Sequence, residues 1–189
     1  MRWIAPLLIL AVPMAAQNVR VRMETQLGVI EVDVDTAHAP LTAANFLKYA
    51  DGGMYDGGAF HRTVKPDNQP ASKIRIEVVQ AGINPEKRSQ ELAPVALERT
   101  SETGLKHTDG VISMARSAPD SATSDFFICI GDQPSLDFGG MRNPDGQGFA
   151  AFGRVVQGMD VVRRIQQAPA EGQNLKPPVR ILTVRRAGR

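Results

Sequence analysis

Cysteine is almost absent from this chain of 189 residues, and Cys129 is the only one. A single thiol forms no intrachain disulfide, so the fold rests on its core rather than on staples. Cys129 lies in the apolar run Phe126-Phe127-Ile128-Cys129-Ile130, where a thiol packs as a small hydrophobe. Nothing beside it favours a thiolate nucleophile. Histidine is nearly as scarce: His38, His61 and His107 are the only three, and no two have metal-ligand spacing. The G-x-S-x-G turn of serine hydrolases is missing, so a hydrolase would have only dispersed Ser, His and Asp residues behind it. Gly146 to Ala151 matches G-x-G-x-x-A in letters. It follows a polar loop and leads into a strand, without the helix start that holds a phosphate. No motif requires a cofactor or a metal.

An excess of one charge is also lacking. Against 22 Lys and Arg stand 20 Asp and Glu, a formal net charge of +2, which is no nucleic-acid footprint. The one basic concentration, Arg180, Arg185, Arg186 and Arg189, reads as a solvated strand end. At 42% apolar and 22% charged residues the composition is that of a soluble globular protein, and the length suits one domain. Long apolar runs are missing except at the start. There Arg2 precedes Trp3 to Val12, followed by Pro13-Met14-Ala15-Ala16. A positive residue, a short apolar segment and small residues describe a secretory signal peptide, too short to span a bilayer comfortably. The expected organisation is a leader over 1–16 and one domain over 17–189. The mature protein is expected to be exported, most simply to a bacterial periplasm, without a membrane anchor. No heptad seam or long apolar edge demands a second copy, so a monomer is expected.

What is present reads as β-structure with two helices. Val19, Val21 and Met23 alternate with polar partners, as do Ile30, Val32 and Val34, and Thr25 to Gly28 between them predicts a hairpin. From Pro40 to Ala50 the period changes, with Ala43, Phe46, Leu47 and Ala50 on one helical face, Pro40 at its start and Gly52-Gly53 at its stop. A second helix is expected over 158–167. Strands are expected near 59–64, 74–80, 111–115, 126–131, 150–156 and 179–185. Many short strands with two helices predict a mainly β barrel or sandwich. Two polar inserts, Lys65 to Ser72 and Asp137 to Gly148, read as loops.

Several blocks stand in order along the chain: Phe60-His61-Arg62, Gln80-Ala81-Gly82, Ile112 to Arg116, Ser121 to Ile130 and Phe149 to Val155. Together, from Val19 to Arg185, they make the sequence resemble the cyclophilin family. The resemblance implies a closed eight-stranded antiparallel β-barrel capped by two α-helices, with a peptide groove outside it. The implied activity is peptidyl-prolyl cis/trans isomerisation, on proline-containing polypeptides. Arg62 matches the catalytic arginine. Phe60 and Phe127 match apolar groove members, with Leu136 and Phe149 at further pocket positions. Gln80 matches a glutamine that binds substrate backbone and orients the arginine, and Ala115 a position where substrate backbone passes close. Phe126 and Phe127 must face opposite sides of one strand, and the resemblance assigns the groove to Phe127. Phe152 is expected in the core. His61 is expected as an ordinary packed or surface histidine without an acid-base role.

Some positions depart from the pattern. Asp125 replaces a usual glutamine in the groove, where a carboxylate either holds Arg62 or draws it from substrate. Val78 stands where methionine is common, Phe149 replaces histidine or tyrosine, and Ser135 sits where many members have an aromatic, which implies low cyclosporin sensitivity. Residues 63–79 separate Arg62 from Gln80, much more than the family's usual link, so the excess is expected as a loop near the groove mouth. A second class of function fits the same blocks: a binding module or chaperone for proline segments with little or no turnover.

Overall fold

The computed structural model describes residues 18–188, and the leader expected over 1–16 lies outside them. The chain enters through β1 (Val19–Thr25) and β2 (Gly28–Val34), paired from Val19 opposite Val34 to Thr25 opposite Gly28. Val21, Met23, Ile30, Val32 and Val34 are fully buried, so the period of two in the sequence is the alternation of core and solvent. Helix α1 (Pro40–Asp51) follows. Proline suits its first position, where an amide N–H would lack an intrahelical partner anyway. The N–H groups of Leu41 and Thr42 donate to the carboxylate of Glu98, at 3.0 and 2.7 Å, which satisfies orphan donors and places negative charge at the positive helix end. One turn along, Phe46 enters the interior and meets the rings of Tyr55, Phe126 and Phe152 at 5.4, 5.6 and 5.1 Å.

The remaining strands are β3 (Ala59–Val64), β4 (Val78–Gly82), β5 (Val111–Met114), β6 (Phe126–Cys129), β7 (Ala151–Gln157), β8 (Ala170–Glu171) and β9 (Asn174–Arg186). A short α2 (Thr100–Thr103) and α3 (Met159–Gln166) complete the helices. The strand order is β1-β2-β7-β5-β6-β4-β3-β9, and β9 pairs back onto β1. Every pairing is antiparallel. The result is the closed eight-stranded barrel, which leaves no open sheet edge, with β8 as a small extra hairpin on β9. Val161, Val162 and Ile165 of α3 are buried against it. Phe152 lies in the core, as expected.

Three details differ from the pattern expected. Strand β4 begins at Val78, because the side chain of Gln69 takes the place of a partner strand for Ile76. Gln69 Nε2 donates to the Ile76 carbonyl at 2.8 Å and its Oε1 accepts from the Ile76 N–H at 3.2 Å. Strand β9 starts at Asn174, ahead of Pro177 and Pro178. These prolines fall within the register shift between Asn174 and Val179, where no ladder N–H is called for. Helix α2 was not anticipated, and Gly104, with φ of 74°, ends it.

Candidate active site

A second apolar cluster lies on the outer face of the barrel, apart from the interior. It comprises Val64, Ile76, Val78, Phe127, Cys129, Leu136 and Phe149, with Ala115 packed against it. Strand β6 shows how the sequence builds it: Phe126 and Ile128 face the core, while Phe127 and Cys129 face outward. This cluster floors a groove of about 450 Å³ that is also lined by Arg62, Gln80, Asp125 and Arg142. Phe149 stands edge-on to Phe127, with ring centroids 5.4 Å apart and planes at 89°. Burial pushes the Cys129 thiol far above its ordinary pKa, so it serves as packing rather than as a nucleophile.

Behind Phe127 the ring of His107 is stacked at 5.9 Å. That ring is fixed by Asp137 Oδ1, 2.8 Å from Nδ1, and by Ser113 Oγ, 2.9 Å from Nε2. Burial alone would raise the Asp137 pKa, but the hydrogen bonds and charge of His107 bring it below the usual carboxylate range. These residues share the order of contacts of a hydrolytic triad. Ser113 and His107 are only 0% and 1% exposed, so no acyl group reaches the hydroxyl, and the chain of bonds instead braces the groove floor.

Arg62 projects from β3 beside this floor. Its Nη1 donates to Gln80 Oε1 at 3.0 Å, and its Nε and Nη2 both donate to Gln173 Oε1 at 2.9 and 2.6 Å. Burial first, then the charge of Arg142, lowers its pKa. A guanidinium starts so high that it stays cationic at neutral pH. Asp125 neither pairs with Arg62 nor draws it away. It accepts from Gln80 Nε2 at 3.2 Å and lies 3.6 Å from His61 and 3.7 Å from Arg88. The carboxylate therefore orients the amide that orients the guanidinium. A Cβ at Gly82 would collide with Asp125 Oδ1, so the Gln-Ala-Gly block supplies both the amide and the space for that carboxylate.

The structure gathers Arg62, Gln80, Ala115, Asp125, Phe127, Leu136 and Phe149 around one groove. Phe60 is a correction. It is fully buried in the barrel interior, edge-on to Phe126 at 6.1 Å. Residues two apart on a regular strand share a face, which would place Phe60 beside Arg62. A register shift between them, with Phe60 opposite Ala81 and Arg62 opposite Gln80, turns them to opposite faces. Ile76 and Val78 supply the apolar wall instead. Sequence reasoning also missed Gln173 and Arg142. Gln173 carries no local signal beyond the neighbouring turn glycine, Gly172. Arg142 sits in a segment read only as a polar loop.

Residues 20–186 match the model of a family described as cyclophilin type peptidyl-prolyl cis-trans isomerase/CLD. A peptidyl-prolyl cis-trans isomerase of Acinetobacter baylyi is 35% identical over 176 residues, which cover 90% of this chain and 86% of that protein. The crystal structure of a cyclophilin type peptidyl-prolyl cis-trans isomerase of Cryptosporidium parvum superposes with a TM-score of 0.71 at 19% identity, covering 91% of this chain and 99% of that one. A second structure of that protein, determined in the presence of the dipeptide Ala-Pro, gives a TM-score of 0.70 at 19% identity, with coverages of 90% and 99%.

Proposed function

The chain belongs to the cyclophilin-type peptidyl-prolyl cis-trans isomerases, and on that premise we propose that its groove turns over X-Pro bonds of exported polypeptides as they fold. An X-Pro bond resists rotation because amide resonance gives its C–N bond double-bond character, with a barrier of about 18–20 kcal/mol. Uncatalysed exchange takes roughly tens to hundreds of seconds. No bond is made or broken, so the protein has only to favour the twisted amide over the planar one. In the twisted form the prolyl nitrogen regains a lone pair, and a donor placed there stabilises it.

Arg62 is the group that does this. A guanidinium carries five N–H donors, and its bonds to Gln80 and Gln173 use three. One remains on each terminal nitrogen, aimed by a rigid frame. Both holding groups are neutral amides, so no directly bound carboxylate cancels the charge that faces the substrate. The apolar floor of Phe127, Leu136 and Phe149 takes the pyrrolidine ring, and Ala115 leaves room for substrate backbone. The observation that carries this reading is Arg62 clamped by two amides at the edge of an apolar pocket. The Cryptosporidium parvum structure determined in the presence of the dipeptide Ala-Pro supports proline-containing peptides as the ligand class.

The test is NMR exchange on a short Ala-Pro peptide with wild type and Arg62→Ala. Acceleration that collapses in a folded Arg62→Ala variant supports isomerisation. Its rate should be flat between about pH 6 and pH 9, because a permanent cation does the work. Saturable binding without acceleration would replace the enzyme with a binding module. Export rests on Arg2, the apolar run Trp3 to Val12 and Ala15-Ala16. Recovery from a bacterial periplasm of a chain that starts near Gln17 supports it, and a full-length cytoplasmic product overturns it.

A further inference from the structure

Arg62, Arg88, Arg116 and Arg142 all line the groove, and their partners differ. Arg116 forms a bidentate pair with Asp145, at 2.7 and 2.9 Å. Arg88 lies 3.8 Å from Glu91 and 3.7 Å from Asp125. Arg62 bonds only to amide oxygens. Arg142 Nη1 donates to Ser72 Oγ at 2.6 Å and to the Ile74 carbonyl at 2.5 Å. Among the described residues no carboxylate forms an ion pair with Arg62 or Arg142. We infer that Arg142, where the 65–77 segment meets the 137–148 loop, is a subsite for a substrate carboxylate, so that the enzyme favours X-Pro segments with an acidic residue flanking the dipeptide.

The placement is built rather than incidental. Ser72 and Ile74 fix the Arg142 guanidinium from one side, and the Gln69 clasp on Ile76 fixes the segment that carries them. Partial burial lowers the Arg142 pKa, in keeping with a cation bonded to a hydroxyl and a carbonyl rather than to a carboxylate. An incoming carboxylate supplies a counter-ion through a charge-assisted hydrogen bond. The surroundings add a small excess of positive charge: the same segment carries Lys65, Lys73 and Arg75 against Asp67 and Glu77, and Glu77 Oε2 accepts from Gln166 Nε2 at 3.0 Å. The acidic groove residues Glu91 and Asp125 already have Arg88 as partner, so they do not quench Arg142. Arg62 contributes charge to the subsite while its free donors serve the prolyl nitrogen.

This inference rests on the isomerase reading, and peptide binding tests it separately from turnover. The probes are acetylated and amidated Ala-Pro pentapeptides with Glu or Gln either before the Ala-Pro pair or after it. Affinity is measured by NMR titration and turnover by exchange. One Glu peptide should bind about tenfold tighter than its Gln counterpart, the size of one charge-assisted bond. The preference should shrink as ionic strength rises from about 0.01 M to about 1 M, over which the Debye length falls from about 30 Å to 3 Å. Arg142→Gln should bring the ratio close to one and Arg142→Lys should retain most of it. Equal binding of Glu and Gln peptides by the wild type overturns the inference, as does a preference that survives Arg142→Gln. Loss in the Lys variant as well as the Gln variant also overturns it, because loop shape and not charge would then set the ratio. Peptide binding without acceleration would sink the isomerase reading while leaving the carboxylate preference measurable.

Discussion

The side-chain carbonyl of Gln173 accepts two hydrogen bonds from Arg62, 2.9 Å from Nε and 2.6 Å from Nη2, across a separation of 111 residues. Gln173 sits in the turn between β8 and β9, and its Nε2 donates in turn to the carbonyl of Asn68 at 3.1 Å. Asn68 ties that turn to β3 through bonds to the carbonyls of Thr63 and Gly172, both 3.0 Å. The extra segment after β3 is thus joined to the guanidinium through a single amide.

Gln173 should therefore behave as a positioning residue. Gln173→Leu is expected to lower kcat on an Ala-Pro peptide about tenfold, the scale of a lost bond to a charged group. KM should move little, since the apolar floor is untouched. Gln173→Glu restores the acceptor and should recover part of the rate. NMR lineshape analysis over a range of peptide concentrations separates the two constants. An unchanged kcat would mean that Gln80 alone holds Arg62.

Phe60 and Phe127 should separate stability from activity. Phe60 is sealed inside the barrel, so Phe60→Ala should cost about 3–5 kcal/mol in urea unfolding, while kcat/KM per folded molecule falls far less than in Phe127→Ala. Phe127→Ala removes the groove floor and should show the larger kinetic loss. The reverse ranking would return Phe60 to the substrate site.

What was legible in the sequence follows from what is local. Alternation marked β1 and β2, and the change of period at Pro40 marked α1, because those signals live within one element. Phe127 and Arg62 were found because their blocks stand in order along the chain. Phe60 is assigned to the groove through its match to a family block, and the register shift that turns it inward leaves no mark in the letters. Gln173 and Arg142 were missed because their partners, Arg62 and Ser72, are distant in sequence and their own neighbours are ordinary turn residues. Ile76 was expected in a strand, since its apolar letter does not reveal that a glutamine side chain would satisfy its backbone.

Acid should loosen the loop over the groove before neutral conditions do. The hydrogen bonds from Arg116, then the N–H of Gln147, hold the Asp145 carboxyl at about 2, against about 3.9 in an unfolded chain. A folded pKa below the unfolded one gives stability that is complete above about pH 4 and is lost as pH falls through about 2. Arg116 also lies over the Phe149 ring at 5.0 Å, so its release disturbs the groove. Urea unfolding of wild type and Asp145→Asn should show a gap at neutral pH that narrows steadily below about pH 4. A gap that stays constant into acid would mean that the Arg116 pair does not contribute.

Gln69 should control the order of the whole segment between β3 and β4. Its side chain is only 3% exposed and bonds to the carbonyls of Lys65 and Ile76 and to the Ile76 N–H. Gln69→Ala leaves the buried Ile76 groups without protein partners, at a cost of about 1–3 kcal/mol each in desolvation. The barrel does not depend on those bonds, because β3 and β4 pair with each other and with β9 and β6. The damage should therefore stay local. Hydrogen exchange should accelerate over 65–77 and trypsin should gain access at Lys73 and Arg75, while strands such as β5 and β6 keep their protection. Ile76 belongs to the apolar floor and Ser72 fixes Arg142. Peptide affinity should consequently fall, and any preference for acidic flanking residues should fall with it. Fast exchange over 65–77 with unaltered affinity would separate this segment from substrate binding altogether.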